Sequence, residues 1–185
     1  MKTVKTALDG VIIFEPSVYE DSRGFFFESF NQKEFSKLTG FTGEFKQDNH
    51  SKSVQGVVRG LHFQVAPFEQ GKLVRCIKGS VYDVIVDIRP ESSTYGKWIG
   101  VELTDDNKKQ IWIPAGCAHG FQTLSQEAEF LYKTTEYYSP ASERCILWND
   151  ETLNIQWPMS DVLLSDKDKQ GLTYKEWQAE AENGN

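Results

Sequence analysis

The sequence predicts an all-β domain, a β-sandwich or jelly-roll barrel with short helices at its edges. Three observations predict it. Apolar runs are short and recur, about ten of them, between turn residues at close spacing. Several alternate with period two, as half-buried strands do. Aromatic residues are plentiful, at 13% of the chain, while Gly and Pro punctuate the runs rather than interrupt long helical patterns. At 185 residues, with no internal repeat, linker or low-complexity tract, residues 1–185 suit one domain large enough to bury a core.

Taken in order, Val11–Phe14 reads as an opening strand ended by Glu15-Pro16. Asp21-Ser22-Arg23-Gly24 is a turn, and Phe25–Phe30 a strand. Asn31 can cap a short helix running through Leu38, which Gly40 stops. Phe45–Asn49 returns to strand. Residues 55–76 read as two further strands around a loop, the second covering Leu73–Ile77. Lys78-Gly79 then turns the chain into Ser80–Ile88. In that strand Tyr82, Val84, Val86 and Ile88 share one face and Val81, Asp83, Ile85 and Asp87 the other. Lys97–Leu103 and Gln110–Ile113 flank the turn Asp105-Asp106-Asn107. Ile113-Pro114-Ala115-Gly116 suits a type I turn, with Pro second and Gly fourth. His119–Thr123 and Glu129–Thr135 are strands. Periodicity fades after Pro140. The segment 159–185 is partly helical: a loop with one helical turn up to Gly171, then a surface helix over Tyr174–Glu182.

A formal charge of −7 provides no basic field, which argues against a nucleic-acid partner. Cys76, Cys117 and Cys145 show no CxxC spacing and read as buried thiols of a reducing compartment. No apolar segment approaches a membrane span or a signal-peptide core, so a cytoplasmic location is expected.

Against this background one stretch stands out. Arg59, His62, Gln64 and Lys72 crowd into neighbouring strands near the middle of the chain. A cation and an imidazole facing a barrel interior are costly unless they meet an anion or a reacting oxygen. This stretch is therefore the expected floor of an active site. Arg59 and His62 differ by three, so a regular strand places them on opposite faces. Both reach one pocket only if the strand bulges, which Gly60 permits.

Pro114-x-Gly116-x-x-His119 resembles the second motif of the cupin superfamily, and Gly60-x-His62-x-Gln64 its first, with Gln64 where metal-binding cupins carry a second His. The resemblance implies a double-stranded β-helix, the cupin form of the jelly roll. Two imidazoles and an amide make a weak metal site, so no metal and no other cofactor is expected. The resemblance narrows further. Asp21-Ser22-Arg23-Gly24-Phe25-Phe26, Gln47-Asp48-Asn49-His50-Ser51, Val58 to Gln64, Gln70 to Arg75, Asp87-Ile88-Arg89, Tyr95-Gly96-Lys97-Trp98 and Ile113 to Phe121 resemble, in order, the signature blocks of the dTDP-4-dehydrorhamnose 3,5-epimerases. Tyr132-Lys133, Tyr137-Tyr138 and Trp148-Asn149-Asp150 do so as well.

That family's substrate is a dTDP-linked 4-keto-6-deoxyglucose, whose carbons 3 and 5 flank a ketone. Their protons are acidified by the carbonyl, so inversion needs a base, a group on the enolate oxygen and an acid on the opposite ring face. The resemblance implies His62 as base, Asp168 as the carboxylate that orients it, Lys72 on the enolate oxygen and Tyr132 as acid. The short segment around Asp168 leaves Asp161 and Asp166 as other possible partners of His62. It further implies substrate contacts from Arg23, Glu28, Gln47, Asp48, Asn49, Arg59, Lys72, His119, Glu143 and Lys167, stacking of Tyr138 on thymine, and Asp83 behind His119. A homodimer with N-terminal strands crossing between subunits is also implied. Three other functions stay open on the residues: epimerisation at a single carbon, a metal-dependent cupin oxygenase or isomerase, and a non-catalytic sugar-nucleotide binder.

Overall fold

The computed structural model describes residues 1–183. Two antiparallel sheets face each other. One has six strands in the order β1 (Lys2–Lys5), β2 (Ile12–Glu15), β10 (Gln110–Ile113), β7 (Lys72–Lys78), β12 (Glu127–Thr134) and β5 (Gln47–Val54). The other has five: β13 (Glu143–Cys145), β6 (Val58–Gln64), β11 (Cys117–Thr123), β8 (Ser80–Asp87) and β9 (Trp98–Thr104). A hairpin of β3 (Tyr19–Asp21) and β4 (Gly24–Phe26) stands apart from both. This is the jelly-roll arrangement the strand pattern predicts.

The core between the sheets comes from the alternation of the strands. Val74, Cys76, Ile111, Ile113 and Phe130 of the six-stranded sheet meet Val81, Ile85, Leu103, Cys117 and Phe121 of the five-stranded one. On the opposite face of β8, Val84 and Val86 are buried, as is Ile88 just past its end, and Tyr82 is half-buried. Helix α2 (Tyr174–Asn183) and the segment before it cover that face. Phe63 and Trp177 meet edge to face at 4.6 Å there. Helix α1 (Gln32–Thr39) begins where Asn31 accepts hydrogen bonds from the backbone N–H groups of Lys33 and Glu34, and it ends at Gly40 with φ +76°. Its Phe35 sits among Phe14, Phe30, Phe41, Phe45 and Trp112 on the outer side of the six-stranded sheet.

Five elements differ from the sequence reading, one of them β3, where no strand is expected. The strand expected over Phe25–Phe30 stops at Phe26, because the chain leaves the hairpin to deliver Phe30 to the aromatic cluster. The strand expected over Phe45–Asn49 starts at Gln47 and runs on to Val54. Phe45 belongs to the aromatic cluster, and the inward positions of β5 are the polar Gln47, Asn49, Ser51 and Ser53, which carry no apolar signal. Edge strand β1 is exposed along its length, and β13 is three residues long. Neither leaves a periodic trace.

Candidate active site

One end of the barrel holds a cavity of about 360 Å³ between the sheets. His62, Arg59 and Gln64 reach it from β6, His119 from β11 and Glu143 from β13. Lys72, Tyr132, Gln47, Asn49 and Ser51 reach it from the opposing sheet, and Tyr138 from the loop after β12. The bulge that Arg59 and His62 require is present. His119 pairs with His62 and Phe121 with Arg59, so two residues of β11 span three of β6. Gly60 has φ +122°, and a Cβ there would lie 2.6 Å from Gly120 Cα and 2.7 Å from the His119 carbonyl oxygen.

The partner of His62 is Asp168, not Asp161 or Asp166. His62 Nε2 donates to Asp168 Oδ1 at 2.5 Å, while Asp166 pairs with Lys169. Asp168 opens a single 3₁₀ turn, Asp168–Gln170, and is buried. Burial raises its pKa, but the bonds from His62 and Ser165 outweigh that and hold it below the usual carboxylate range. An ionised Asp168 only accepts, so it fixes the proton on Nε2 and leaves Nδ1 with its lone pair. Ser165 completes the arrangement. Its hydroxyl donates to Asp168 Oδ2 at 2.6 Å and accepts from the Asp168 N–H at 3.1 Å. The Ser-x-x-Asp spacing, a turn-start signature, was the available signal for it.

Lys72 is buried at the first position of β7 and donates to the His62 carbonyl oxygen at 3.0 Å. Burial pushes its pKa down to about 8, against the attraction of Asp83 and Glu143. Asp83 is fully buried, and His119 Nε2 donates to it at 2.8 Å. Burial raises the Asp83 pKa, with His119 and Lys72 opposing. Burial also raises the Tyr132 phenol, so it keeps its proton at neutral pH. At the rim, Tyr138 Oη donates to Glu143 Oε2 at 2.6 Å, and Lys167 pairs with the same carboxylate at 2.5 Å. Burial raises the Glu143 pKa, but the bonds from Lys167 and Tyr138 bring the net shift downward.

Three sequence candidates stand off this cavity within the chain. Arg23 lies on the exposed β3–β4 hairpin, paired with Asp21 at 2.6 Å. Glu28 accepts from the Asn31 side chain in the segment before α1. Asp48 alternates with Gln47 and Asn49 on β5, so it faces outward and pairs with Lys133 at 2.8 Å.

The cupin-type metal position does not fit a metal here. Gln64 bonds to backbone groups through both ends of its amide, and with their Nε2 atoms on Asp168 and Asp83, His62 and His119 offer at most one free ring nitrogen each, fewer than the three or four ligands a metal site needs. His62, Cys145 and Asp168 bring three donor atoms within 4.8 Å. The His62 and Asp168 donors there are bonded to each other, and burial pushes the Cys145 thiol up to about 12, so it stays protonated.

A carboxylate-backed imidazole and a protonated phenol enter one cavity from opposing sheets, beside a buried ammonium. The barrel is thus a cupin-like acid–base enzyme. The chain belongs to the dTDP-4-dehydrorhamnose 3,5-epimerase family, whose sequence model matches residues 5–176. It is 59% identical to the dTDP-4-dehydrorhamnose 3,5-epimerase of Shigella flexneri over 174 residues, 94% of this chain and 96% of that one. A Legionella pneumophila epimerase crystallised with dTDP-4-keto-L-rhamnose superposes with a TM-score of 0.93 at 48% identity, covering 97% of this chain and 95% of that one. A 3'-monoepimerase from Streptomyces bikiniensis in complex with dTDP-quinovose gives a TM-score of 0.86 at 29% identity, with 96% of both chains covered.

Proposed function

We propose that this chain inverts carbons 3 and 5 of dTDP-4-dehydro-6-deoxy-D-glucose, giving dTDP-4-dehydro-L-rhamnose. The observation that carries the reading is the placement of His62 and Tyr132 on facing sheets of one cavity that buried Lys72 also lines. His62 Nδ1 removes the proton next to the ketone. Asp168 supports the imidazolium that results. Lys72 stabilises the enolate oxygen, a charge that exists only after proton loss, and Tyr132 returns a proton from the other ring face. His119, held by Asp83, contacts the sugar. Arg59 and Lys167 meet the diphosphate oxygens, to which guanidinium and ammonium groups are suited. Tyr138 stacks on thymine, with Gln47, Asn49 and Glu143 completing the nucleotide and sugar contacts.

Wild-type enzyme incubated with substrate in D₂O is expected to place deuterium at carbons 3 and 5 and leave carbon 2 protiated. Deuterium at one carbon alone makes it a single-carbon epimerase, the reading that the likeness to the 3'-monoepimerase keeps alive. Activity is expected to survive EDTA. Full loss on chelation, restored by a divalent metal, reinstates the metal-dependent reading.

A homodimer also belongs to this proposal. Tyr19, Phe25 and Phe26 of the β3–β4 hairpin are 67%, 59% and 70% exposed, a costly display for a lone subunit. In a dimer with crossed N-terminal segments the hairpin covers its partner and carries Arg23 and Glu28 into the partner's cavity. Sedimentation at micromolar concentration is expected to show a dimer, and Arg23→Ala to raise KM about tenfold or more with little change in kcat. A monomer with wild-type KM for that variant refutes this assignment.

A further inference from the structure

Gln64 occupies the place where metal-binding cupins carry a histidine ligand, and no role has so far been given to it. It is 5% exposed at the end of β6. Its Nε2 donates to the Phe68 carbonyl oxygen at 2.5 Å and to the Tyr137 carbonyl oxygen at 3.1 Å, and its Oε1 accepts from the Ser139 N–H at 2.8 Å. These three bonds use both amide protons and the carbonyl. Two of them grip the backbone on either side of Tyr138. The backbone N–H of Tyr138 itself donates to Gln47 Oε1 at 3.0 Å, and that of Tyr137 to Glu136 Oε1 at 2.9 Å. The third bond of Gln64 goes to the Phe68 carbonyl in the β6–β7 loop, four residues on.

We propose that Gln64 is a positioning residue that holds Tyr138 in its nucleobase-stacking pose. It acts on the nucleotide end of the substrate, not on the reacting carbons. The inference rests on the reading of Tyr138 as the thymine platform. Tyr138 is half exposed on a loop, and such a ring samples many poses unless its backbone is fixed. Its hydroxyl is also anchored, on Glu143, the residue paired with Gln64 across β6 and β13. Fixing the backbone before ligand arrives lowers the ordering cost of binding, so loss of Gln64 weakens binding without touching the chemistry. An amide whose donors and acceptor are all engaged within the protein has little left for direct substrate contact.

The test measures Kd for dTDP by calorimetry and kcat and KM for the dTDP-sugar in wild type, Gln64→Met, Gln64→Glu, Tyr138→Ala and the double variant Gln64→Met/Tyr138→Ala. Gln64→Met keeps the side-chain volume and removes all three bonds. Gln64→Glu retains an acceptor for the Ser139 N–H but sets an oxygen against the Tyr137 and Phe68 carbonyls, so it keeps the test valid if the Met variant fails to fold. Both are expected to raise Kd and KM about tenfold while kcat stays within about threefold. In the Tyr138→Ala background Gln64→Met is expected to add almost nothing, because the two residues act as one unit. If Tyr138→Ala leaves the Kd for dTDP unchanged, the stacking reading itself fails. If Tyr138→Ala weakens dTDP binding and the Gln64 variants do not, the stacking stands and the clamp is overturned. Full additivity, or a fall in kcat at unchanged KM, also overturns it.

Discussion

His62→Ala abolishes deuterium uptake at both carbon 3 and carbon 5, by at least about a thousandfold, because no other base stands ready to replace it: His119, the second imidazole of the cavity, is held on buried Asp83 and contacts the sugar in the proposed reading. Glu143 is held ionised by Lys167 and Tyr138 but is a far weaker base than imidazole, and the Lys72 amine is charged below about pH 8. Asp168 is buried behind the imidazole. Tyr132→Phe separates the two halves of the reaction. It removes the phenol but leaves His62, Asp168 and Lys72, so protons still leave and return from the His62 side. Deuterium then enters with retention while inversion falls sharply. The measurement is NMR of the recovered sugar nucleotide, reading label and configuration at each carbon. Exchange at the wild-type rate in His62→Ala removes His62 from the role of base. Normal inversion in Tyr132→Phe does the same for the acid.

Much of this barrel was legible because its core strands alternate. Both faces of β8 were assigned correctly from one run of nine residues, since each apolar position meets either the facing sheet or the C-terminal cover. The Asn31 cap and Gly40 stop bracket α1 for equally local reasons. What stayed hidden has a physical cause of its own. The inward face of β5 is polar because it lines a polar cavity, and a strand whose buried side is Gln, Asn and Ser does not look amphipathic. The bulge at Gly60 was readable only as a condition, from the spacing of Arg59 and His62, and the register bears that condition out. Asp168 was one of three carboxylates in a stretch without periodicity. Its burial beneath His62 depends on contacts some hundred residues apart in sequence, which no local pattern encodes. Gln64 was noticed for the metal ligand it replaces. Its bonds to the loop after β12, six strands further along the chain, required the fold.

Lys72→Met is expected to destroy activity yet leave the folded protein as stable at pH 7 as wild type, or more so. Burial lowers the Lys72 pKa from 10.5 to about 8, and at about 1.4 kcal/mol per pH unit that amounts to a cost of about 3 kcal/mol for keeping the ammonium charged inside the barrel. The attraction of Asp83 and Glu143 is already counted in that lowering, and the bond to the His62 carbonyl returns about 1 kcal/mol. Below pH 8 the folded and unfolded chains both hold the proton, so the full cost stands. Between about pH 8 and 10.5 the unfolded chain binds more protons than the folded one, so wild-type stability rises with pH relative to the variant. Urea unfolding at equal protein concentration is expected to show Lys72→Met ahead by about 1 to 2 kcal/mol at pH 7, with the margin shrinking by pH 10. Activity moves the other way. Removing a preorganised charge from the enolate oxygen costs about a hundred- to a thousandfold in kcat, and wild-type kcat/KM falls on the alkaline side as the ammonium of the free enzyme loses its proton near pH 8. A variant less stable than wild type by the same amount at both pH values shows that the ammonium is a net structural asset. A buried cation that destabilises the empty protein is kept for a charge it meets there, and in the proposed reaction that charge is the enolate.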